Sequence, residues 1–320
     1  MKQNNIAVIG AGTMGHGIAQ VFALHDYAVS LTDSNPDILH KAIPRIEDNL
    51  KTYVEHGFAS PDEAAVVPSR IRLVPDIPAA ASQADFIVEA VFEDMAVKHQ
   101  ILPQIEAHCS EQTIIMSNSS SFRVGDMATV LRQPERFLGT HWWNPPHLIP
   151  LVEVICGEKT SIEAIEATRA LLKCVGKYPA LVRKDVAGFV GNRLQHALRR
   201  EAIALVAAGV ASPEDIDLIA RLSFGLRLPI IGPLATADLG GLDLTLAIQS
   251  YLLADLDRST EPSQFVRDKV AGGELGAKAG KGFHDWPPGR QAAVIRKRDR
   301  AILELVKWLQ EGGYLDEPSS

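Results

Sequence analysis

The sequence predicts an α/β protein in which a doubly wound, mostly parallel β-sheet is followed by an all-helical domain. Three observations lead to this fold class. Short apolar segments alternate with helical stretches up to residue 184, a pattern typical of parallel sheets with crossover helices. A glycine-rich turn joins the first apolar segment to the first helical stretch. Beyond residue 184 only helical spacing recurs, so we expect a sheet domain over residues 1–184 and a helical domain over residues 185–320.

Eight segments are typical of strands, because each is a short apolar run bounded by polar or turn-forming residues. They cover residues 6–9, 29–32, 71–74, 86–89, 113–117, 137–141, 151–155 and 180–182. Helical spacing of apolar residues predicts helices over residues 18–24, 36–57, 95–108, 161–175, 189–208, 239–256 and 290–309. Another helix is expected to begin after Ser212, because serine followed by Pro213 is an N-terminal helix signal.

The turn after the first strand has the spacing of a dinucleotide-binding fingerprint, in its full strand–turn–helix–strand context. Gly10 permits a tight turn, Gly12 lets the backbone approach a pyrophosphate, and Gly15 lets the helix pack closely on the sheet. Thr13 and Met14 complete the turn. The helix N-terminus offers unpaired N–H groups to phosphates, so the turn predicts the phosphate site of a dinucleotide.

Asp33 ends the second strand, 18 residues after Gly15. At that position a carboxylate can accept hydrogen bonds from the ribose hydroxyls of adenosine, and it would repel a 2′-phosphate. The sequence therefore predicts a Rossmann domain that binds NAD rather than NADP. The alternative is a tight glycine turn in an unrelated α/β protein.

Bulk composition narrows the classes of partner. The chain has 320 residues, a net charge of −7 and no long basic run, which disfavours nucleic-acid binding. No apolar run is long enough to span a membrane. Cys109, Cys156 and Cys174 are far apart, so we expect neither a disulfide framework nor a metal site, and we expect a reducing, cytoplasmic location.

Polar residues cluster near the ends of several predicted strands, where an open α/β sheet presents its ligand site. One cluster follows the strand at residues 86–89, and two others occupy residues 117–121 and 141–146. The fourth is the single residue Glu153, within an apolar strand. Oxidation of an alcohol by a nicotinamide needs a proton acceptor, for which histidine is suited. A carboxylate on the other imidazole nitrogen fixes the tautomer. His141 and Glu153 are the best pair, although a core histidine and a carboxylate paired with an arginine are alternatives.

Taken in order, the motifs make the chain resemble the L-3-hydroxyacyl-CoA dehydrogenase family over nearly its whole length. The matching segments are 117–121, 141–145, 151–154, 188–193, 232–234 and 240–243. The resemblance implies that His141 is the general base, that Glu153 orients it, and that Ser120 and Asn192 hydrogen-bond the substrate oxygen. It implies further cofactor contacts from Glu93, Lys98, Asn118 and Asn144. It also implies a homodimer formed through the helical domain.

Two of these assignments have structural alternatives. Ser120 could cap the helix expected near Val124. Asn192 could be a helix N-terminal residue without a ligand.

Several departures place the chain nearer the small-acid branch of the family. Residues 53–58 and 146–150 contain no lysine. Family members that act on acyl-CoA usually carry lysine in both segments, and the lysine in the first segment helps to bind coenzyme A. Trp142 and Trp143 replace two phenylalanines and should narrow the pocket. Residues 192–202 and 141–160 are more similar to relatives acting on small molecules: L-gulonate dehydrogenase of the lambda-crystallin branch, L-carnitine dehydrogenase and a pyridine-carboxylate dehydrogenase of vitamin B6 breakdown.

Helical spacing identifies candidate anion anchors. Asn192, His196 and Arg199 are spaced i, i+4, i+7 and share one helix face. The guanidinium of Arg199 is suited to a substrate carboxylate, the alternative being a solvated arginine, and Arg227 is a second candidate. The sequence thus predicts an NAD-dependent dehydrogenase of a small 3-hydroxy acid. A 3-hydroxyacyl-CoA dehydrogenase and a catalytically inert, crystallin-type NAD-binding protein are the alternatives.

Overall fold

The computed structural model describes residues 5–315. By its internal contacts the chain divides after Asn192 into two compact units. The division falls in the first turn of a helix, slightly beyond the boundary expected between residues 184 and 185. The assignment of separate roles to residues 1–184 and 185–320 stays a prediction.

The first unit is built on one sheet of eight strands, all of which the sequence predicts. The strands are β1 (Asn5–Ile9), β2 (Ala28–Thr32), β3 (Ile71–Leu73), β4 (Phe86–Glu89), β5 (Ile114–Ser117), β6 (Phe137–Trp142), β7 (Leu151–Ile155) and β8 (Tyr178–Val182). Their order is β3-β2-β1-β4-β5-β6-β7-β8. Neighbouring strands are parallel except for β6 and β7, so the predicted doubly wound, mostly parallel fold is confirmed.

Both faces of the sheet are covered. Along β1, Ile6 and Val8 belong to one hydrophobic core, while Ala7 and Ile9 belong to the other. Such alternation follows from side chains pointing to opposite faces of a strand, and continuous apolar strands are typical of sheets buried on both sides. The strand order reverses between β1 and β4, which opens a crevice at their carboxyl ends.

Eight helices flank this sheet. They are α1 (Gly15–Leu24), α2 (Pro36–His40), α3 (Ala42–Glu55), α4 (Pro61–Val66), α5 (Ile77–Ala81), α6 (Met95–His108), α7 (Val124–Ala128) and α8 (Ile162–Cys174). The prediction of a single helix over residues 36–57 is wrong, because the helix is interrupted at Lys41 and α2 and α3 are separate. Pro44 explains the break, since proline has no N–H to donate to the carbonyl four residues earlier and its ring crowds that carbonyl.

The second unit is helical over its described residues, as predicted. Its helices are α9 (Gly191–Ala207, which starts just before the division), α10 (Pro213–Leu222), α11 (Phe224–Arg227), α12 (Pro233–Gly240), α13 (Leu242–Leu252), α14 (Gln264–Ala271) and α15 (Arg290–Glu311). The prediction of one helix over residues 239–256 is wrong, because Gly241, with φ +92°, separates α12 from α13. Within residues 5–315 no helix is both long and apolar enough to cross a bilayer.

Candidate active site

The glycine-rich turn between β1 and α1 has the geometry of a phosphate cradle. Gly10 has φ +104°, and a Cβ there would lie 2.5 Å from the carbonyl oxygen of Ala90. A Cβ on Gly15 would lie 1.7 Å from the carbonyl oxygen of Gly10, so the helix starts directly against the turn. Gly12 has open space where a Cβ would stand. Met14 precedes α1 without a side-chain cap, which leaves the first amides of the helix for an anion.

A cavity of about 620 Å³ opens in front of this turn, at the carboxyl ends of the strands. Eight of the predicted site residues line it: Gly10, Gly12, Thr13, Met14, Asp33, Glu93, Asn118 and Ser120. Three predicted cofactor residues are absent from the lining. Gly15 and Lys98 are buried behind it, and Asn144 is exposed on the loop after β6. The volume is typical of ligand pockets, and the open cradle fits a dinucleotide.

Asp33 is held at the rim of the cavity by two backbone amides. The N–H of Ala11 donates to its Oδ2 at 2.8 Å, and the N–H of Asn35 donates to its Oδ1 at 2.8 Å. These bonds fix the carboxylate beside the turn, where a ribose would lie.

We expect Asp33→Ala to weaken NAD binding about 10- to 100-fold, because hydrogen bonds to a charged acceptor contribute about 1.5–3 kcal/mol. Discrimination against NADP should fall with it, since the repulsive charge is removed. Calorimetric titration with both coenzymes measures the two effects, with exposed Asp48→Ala as the control. A wild-type preference for NADP would contradict the assignment.

A buried ion network lies behind the cavity. Lys98, only 1% exposed, donates to both oxygens of Glu89 at 2.9 and 3.0 Å. Its Nζ also lies 3.3 Å from Glu93, and Ser117 donates to Glu89 at 2.6 Å. Because a buried charge needs such partners, the ammonium of Lys98 is engaged by protein carboxylates. The sequence analysis placed polar residues after the strand at 86–89 but missed the central position of Glu89.

Glu93 organises the serine-rich loop after β5. Its Oε1 accepts hydrogen bonds from the hydroxyls of Ser119 and Ser121, at 2.6 and 2.9 Å, and from the amides of Ser120 and Ser121, at 3.0 and 3.1 Å. Burial alone would raise the pKa of Glu93, but these bonds and the charge of Lys98 outweigh it and hold that pKa below the usual 4.5. The carboxylate therefore stays ionised and the loop is fixed.

Ser120 and Asn192 are brought together. The side-chain amide of Asn192 donates to the carbonyl oxygen of Ser120 at 2.9 Å. The capping alternative for Ser120 is not supported, because the residue that precedes α7 is Arg123 and that helix has no side-chain cap.

His141 and Glu153 lie directly opposite each other on the antiparallel strands β6 and β7. Opposed residues of such a pair project to the same face of the sheet within contact distance. His141 Nδ1 is 2.7 Å from Glu153 Oε2, and the two residues are 3% and 2% exposed. The partner of Glu153 is thus a histidine rather than an arginine.

The other oxygen of Glu153 also has two donors. The amides of Val190 and Gly191 donate to Oε1 at 3.0 Å each. Burial raises the pKa of Glu153, but the hydrogen bond from His141, its charge and these amides outweigh it, so the pKa lies below 4.5. An ionised Glu153 requires the proton on Nδ1 of His141, which leaves Nε2 as the basic nitrogen.

Aromatic rings enclose His141. The ring centroid of Trp143 lies 5.0 Å from that of His141, and the centroid of Phe189 lies 5.5 Å away. A Cβ on Gly191 would lie 2.3 Å from the ring of Trp143. Gly188 and Phe189 have φ +74° and +52°, and this left-handed pair aims the following amides at Glu153. Sequence reasoning missed these amides, although two glycines in four residues were a signal for them.

The three candidate anion anchors lie in the second unit. His196 and Arg199 are exposed on α9, and Arg227 is exposed at the end of α11. Their contact with a substrate stays a prediction. Among residues 5–315 no group of three or more His, Cys, Asp or Glu side chains is arranged to hold a metal ion.

Known proteins match both parts of the chain. Residues 5–186 match the NAD binding domain of 3-hydroxyacyl-CoA dehydrogenase, and residues 188–286 match its C-terminal domain. The chain is 34% identical to the 5-formyl-3-hydroxy-2-methylpyridine 4-carboxylate 5-dehydrogenase of Mesorhizobium japonicum, over 96% of this chain and 98% of that relative. It is 38% identical to a probable 3-hydroxybutyryl-CoA dehydrogenase of Bacillus subtilis, over 89% of this chain and 98% of the relative.

Solved structures agree with these matches. A crystal structure of a 5-formyl-3-hydroxy-2-methylpyridine 4-carboxylic acid 5-dehydrogenase, described as an NAD⁺-dependent dismutase, superposes with a TM-score of 0.90 at 35% identity, over 96% of this chain and 99% of that one. The (S)-3-hydroxybutyryl-CoA dehydrogenase from Ralstonia eutropha gives a TM-score of 0.75 at 35% identity, over 89% and 99%. The chain therefore belongs to the 3-hydroxyacyl-CoA dehydrogenase family and is an NAD-dependent oxidoreductase that acts on hydroxyl groups.

Proposed function

We propose that the protein oxidises the alcohol of a small 3-hydroxy acid or related compound, with His141 as general base and Glu153 as its orienting partner. The observation that carries the chemistry is the buried 2.7 Å contact between His141 Nδ1 and Glu153 Oε2. A base whose far nitrogen is fixed by an ionised carboxylate keeps one tautomer and gains stability when protonated. Orienting the imidazole in this way suits proton abstraction from an alcohol.

NAD supplies the hydride acceptor when bound. His141 Nε2 removes the hydroxyl proton, and Glu153 stabilises the imidazolium that results. Ser120 and Asn192, which lie in contact at 2.9 Å, hold the substrate oxygen. Trp143 and Phe189 exclude water from the imidazole.

The first unit supplies the cofactor contacts in this proposal. The turn from Gly10 to Gly15, with Thr13 and Met14, receives the pyrophosphate on backbone amides. Asp33 takes the adenosine ribose. Glu93, Asn118 and Asn144 serve the nicotinamide half. Lys98 acts through the carboxylates that it binds.

The negative charge of helices α3 and α4 supports the proposed preference for a small acid over an acyl-CoA. Residues 42–66, which span α3 and α4, carry five acidic side chains, one arginine and one lysine, a net charge of −3. Residues 53–58, which contain no lysine, belong to this stretch. Within them Tyr53 is buried and its hydroxyl donates to the carbonyl of His147. Such a surface is unfavourable for the several phosphate charges of coenzyme A, and less so for the single carboxylate of a free acid.

The test is a substrate panel followed by absorbance of the reduced cofactor. The panel contains free 3-hydroxy acids, hydroxylated betaines, pyridine carboxylates and 3-hydroxyacyl-CoA thioesters. We expect kcat/KM for the best free acid to exceed that of its thioester by about 100-fold or more, since an unneutralised polyanion costs several kcal/mol.

The second candidate is a 3-hydroxyacyl-CoA substrate, which the 38% identity to a probable 3-hydroxybutyryl-CoA dehydrogenase favours. A reversed preference in the panel would establish it. A catalytically inert, crystallin-type protein would bind NAD and turn over no member of the panel.

Arg199→Ala should raise KM for a free acid about 10-fold and leave kcat nearly unchanged, because the lost contact holds the carboxylate in ground and transition state alike. Steady-state kinetics measures the split, and Arg200→Ala on the same helix is the control. Equal kinetics for Arg199→Ala and wild type would place this guanidinium in solvent.

The homodimer also stays a proposal, and exposed apolar surface supports it. On α13, Leu242 and Leu246 are four residues apart on one face of the helix and are 64% and 67% exposed. A monomer rarely leaves large apolar side chains together in water. A cytoplasmic location stays a prediction.

A further inference from the structure

Residues 144–150, which form most of the loop between β6 and β7, are short of their own hydrogen-bond donors. Pro145, Pro146 and Pro150 have no N–H. Within the loop, the amides of Leu148 and Ile149 both donate to the carbonyl of Pro145 at 3.0 Å. The remaining carbonyls must find donors elsewhere, because an unmet buried carbonyl is costly. Because of its three prolines, the segment 144–150 is called the proline loop.

Side chains from outside the proline loop supply those donors. Lys177, between α8 and β8, donates its Nζ to the carbonyls of Pro146 and Ile149 at 2.8 and 2.7 Å. Tyr53, on α3, donates its hydroxyl to the carbonyl of His147. Two elements distant in sequence thus hold three carbonyls of one loop.

Lys177 is an unusual residue to find in this position. It is 7% exposed, and its Nζ lies 5.5 Å from the ring centroid of Trp142. The partners of its ammonium among residues 5–315 are two carbonyls and this ring, with no carboxylate. Burial accordingly lowers the pKa of Lys177 to about 7. Burying a cation without a counter-charge is unfavourable, and the carbonyls of Pro146 and Ile149 are the groups that offset this cost.

The proline loop lies between the end of β6 and helix α1. It begins at Asn144, two residues beyond the end of β6, the strand that carries His141. Its other side packs on α1, where a Cβ on Gly17 would lie 2.7 Å from the ring of Pro146. Since α1 starts at the phosphate cradle, a shift of the loop changes the distance between the cradle and Asn144.

We propose that Lys177 is a positioning residue that fixes the proline loop and thereby sets Asn144 against the nicotinamide half of the cofactor. This inference rests on the cofactor role of Asn144 in the proposed function. Lys177 itself touches neither cofactor nor substrate in this scheme.

The experiment compares NAD with ADP-ribose, which lacks the nicotinamide ring. Lys177→Met preserves the length of the side chain and removes its donors. We expect Lys177→Met to weaken NAD binding about 10- to 30-fold, while the affinity for ADP-ribose stays within about twofold. Lys159→Met, an exposed lysine after β7, is the matched control and should change neither. Equal weakening of both ligands by a folded Lys177→Met variant would overturn the proposal.

A double variant tests whether Lys177 acts through Asn144. Asn144→Ala should weaken the binding of NAD and leave that of ADP-ribose unchanged. Adding Lys177→Met should then weaken NAD binding little further, because both changes remove the same contact between Asn144 and the nicotinamide half. Full additivity would overturn the inference and leave the role of Asn144 intact. An Asn144→Ala variant with normal NAD binding would refute the Asn144 contact itself, independently of the His141 chemistry.

Tyr53→Phe removes one hydrogen bond to the same loop with little change in volume. It should reproduce the selective loss of NAD affinity at a smaller size, about two- to fivefold. This variant keeps the proposal testable if Lys177→Met does not fold, and an unchanged NAD affinity would then count against it.

Discussion

Replacing His141 with alanine should lower kcat by about two to four orders of magnitude, because a positioned general base contributes about 10²–10⁴. NAD affinity should stay within about threefold of wild type, since the substitution leaves the glycine-rich turn and Asp33, which hold the cofactor in the proposed function, unchanged. Single-turnover measurements and NAD titration separate the two effects.

Alanine also leaves the carboxylate of Glu153 without its imidazole, so folding must be checked alongside activity. His141→Gln retains a donor for that carboxylate and should be as inactive as alanine but more stable. His108→Ala, an exposed histidine at the end of α6, is the control. Turnover of His141→Gln near the wild-type rate would remove His141 from the mechanism.

Glu153→Gln should reduce kcat by about 10²–10⁴ and leave KM for NAD nearly unchanged. An amide cannot stabilise the imidazolium, and its NH₂ group competes with the required orientation of the ring; carboxylate-to-amide changes in His-containing triads have effects of this size. Glu158→Gln, on an exposed residue after β7, is the control. A kcat within a factor of three of wild type would show that the carboxylate is structural only.

The same variant has a pH signature. Because the folded-state pKa of Glu153 is lowered, its ionised form stabilises the fold above about pH 4.5 and this contribution is lost as the pH falls through the folded-state pKa. The melting temperature of Glu153→Gln should therefore lie below that of wild type at pH 7, and the gap should narrow on acidification below pH 4.5. A gap that is constant from pH 7 to pH 3.5 would contradict an ionic role.

Local patterns were enough for the strands, for most helices and for the tight glycine-rich turn between β1 and α1. The strand at 6–9, the turn from Gly10 to Gly15 and Asp33 are contiguous in sequence, so their spacing alone encodes their geometry. Where a local feature was overlooked, the prediction failed: Pro44 and Gly241 each divide a stretch that helical periodicity joins.

By itself the sequence determined the fold class and NAD as the cofactor, and it predicted that His141 and Glu153 pair, because strand periodicity, a short glycine motif and one carboxylate in an apolar strand are local signals. Only the tertiary structure decided that Lys98 is buried between Glu89 and Glu93, that Lys177 holds the proline loop, and that amides after Phe189 reach Glu153. Those contacts join segments whose approach depends on how strands and helices pack, and no spacing along the chain encodes the direction of a buried side chain.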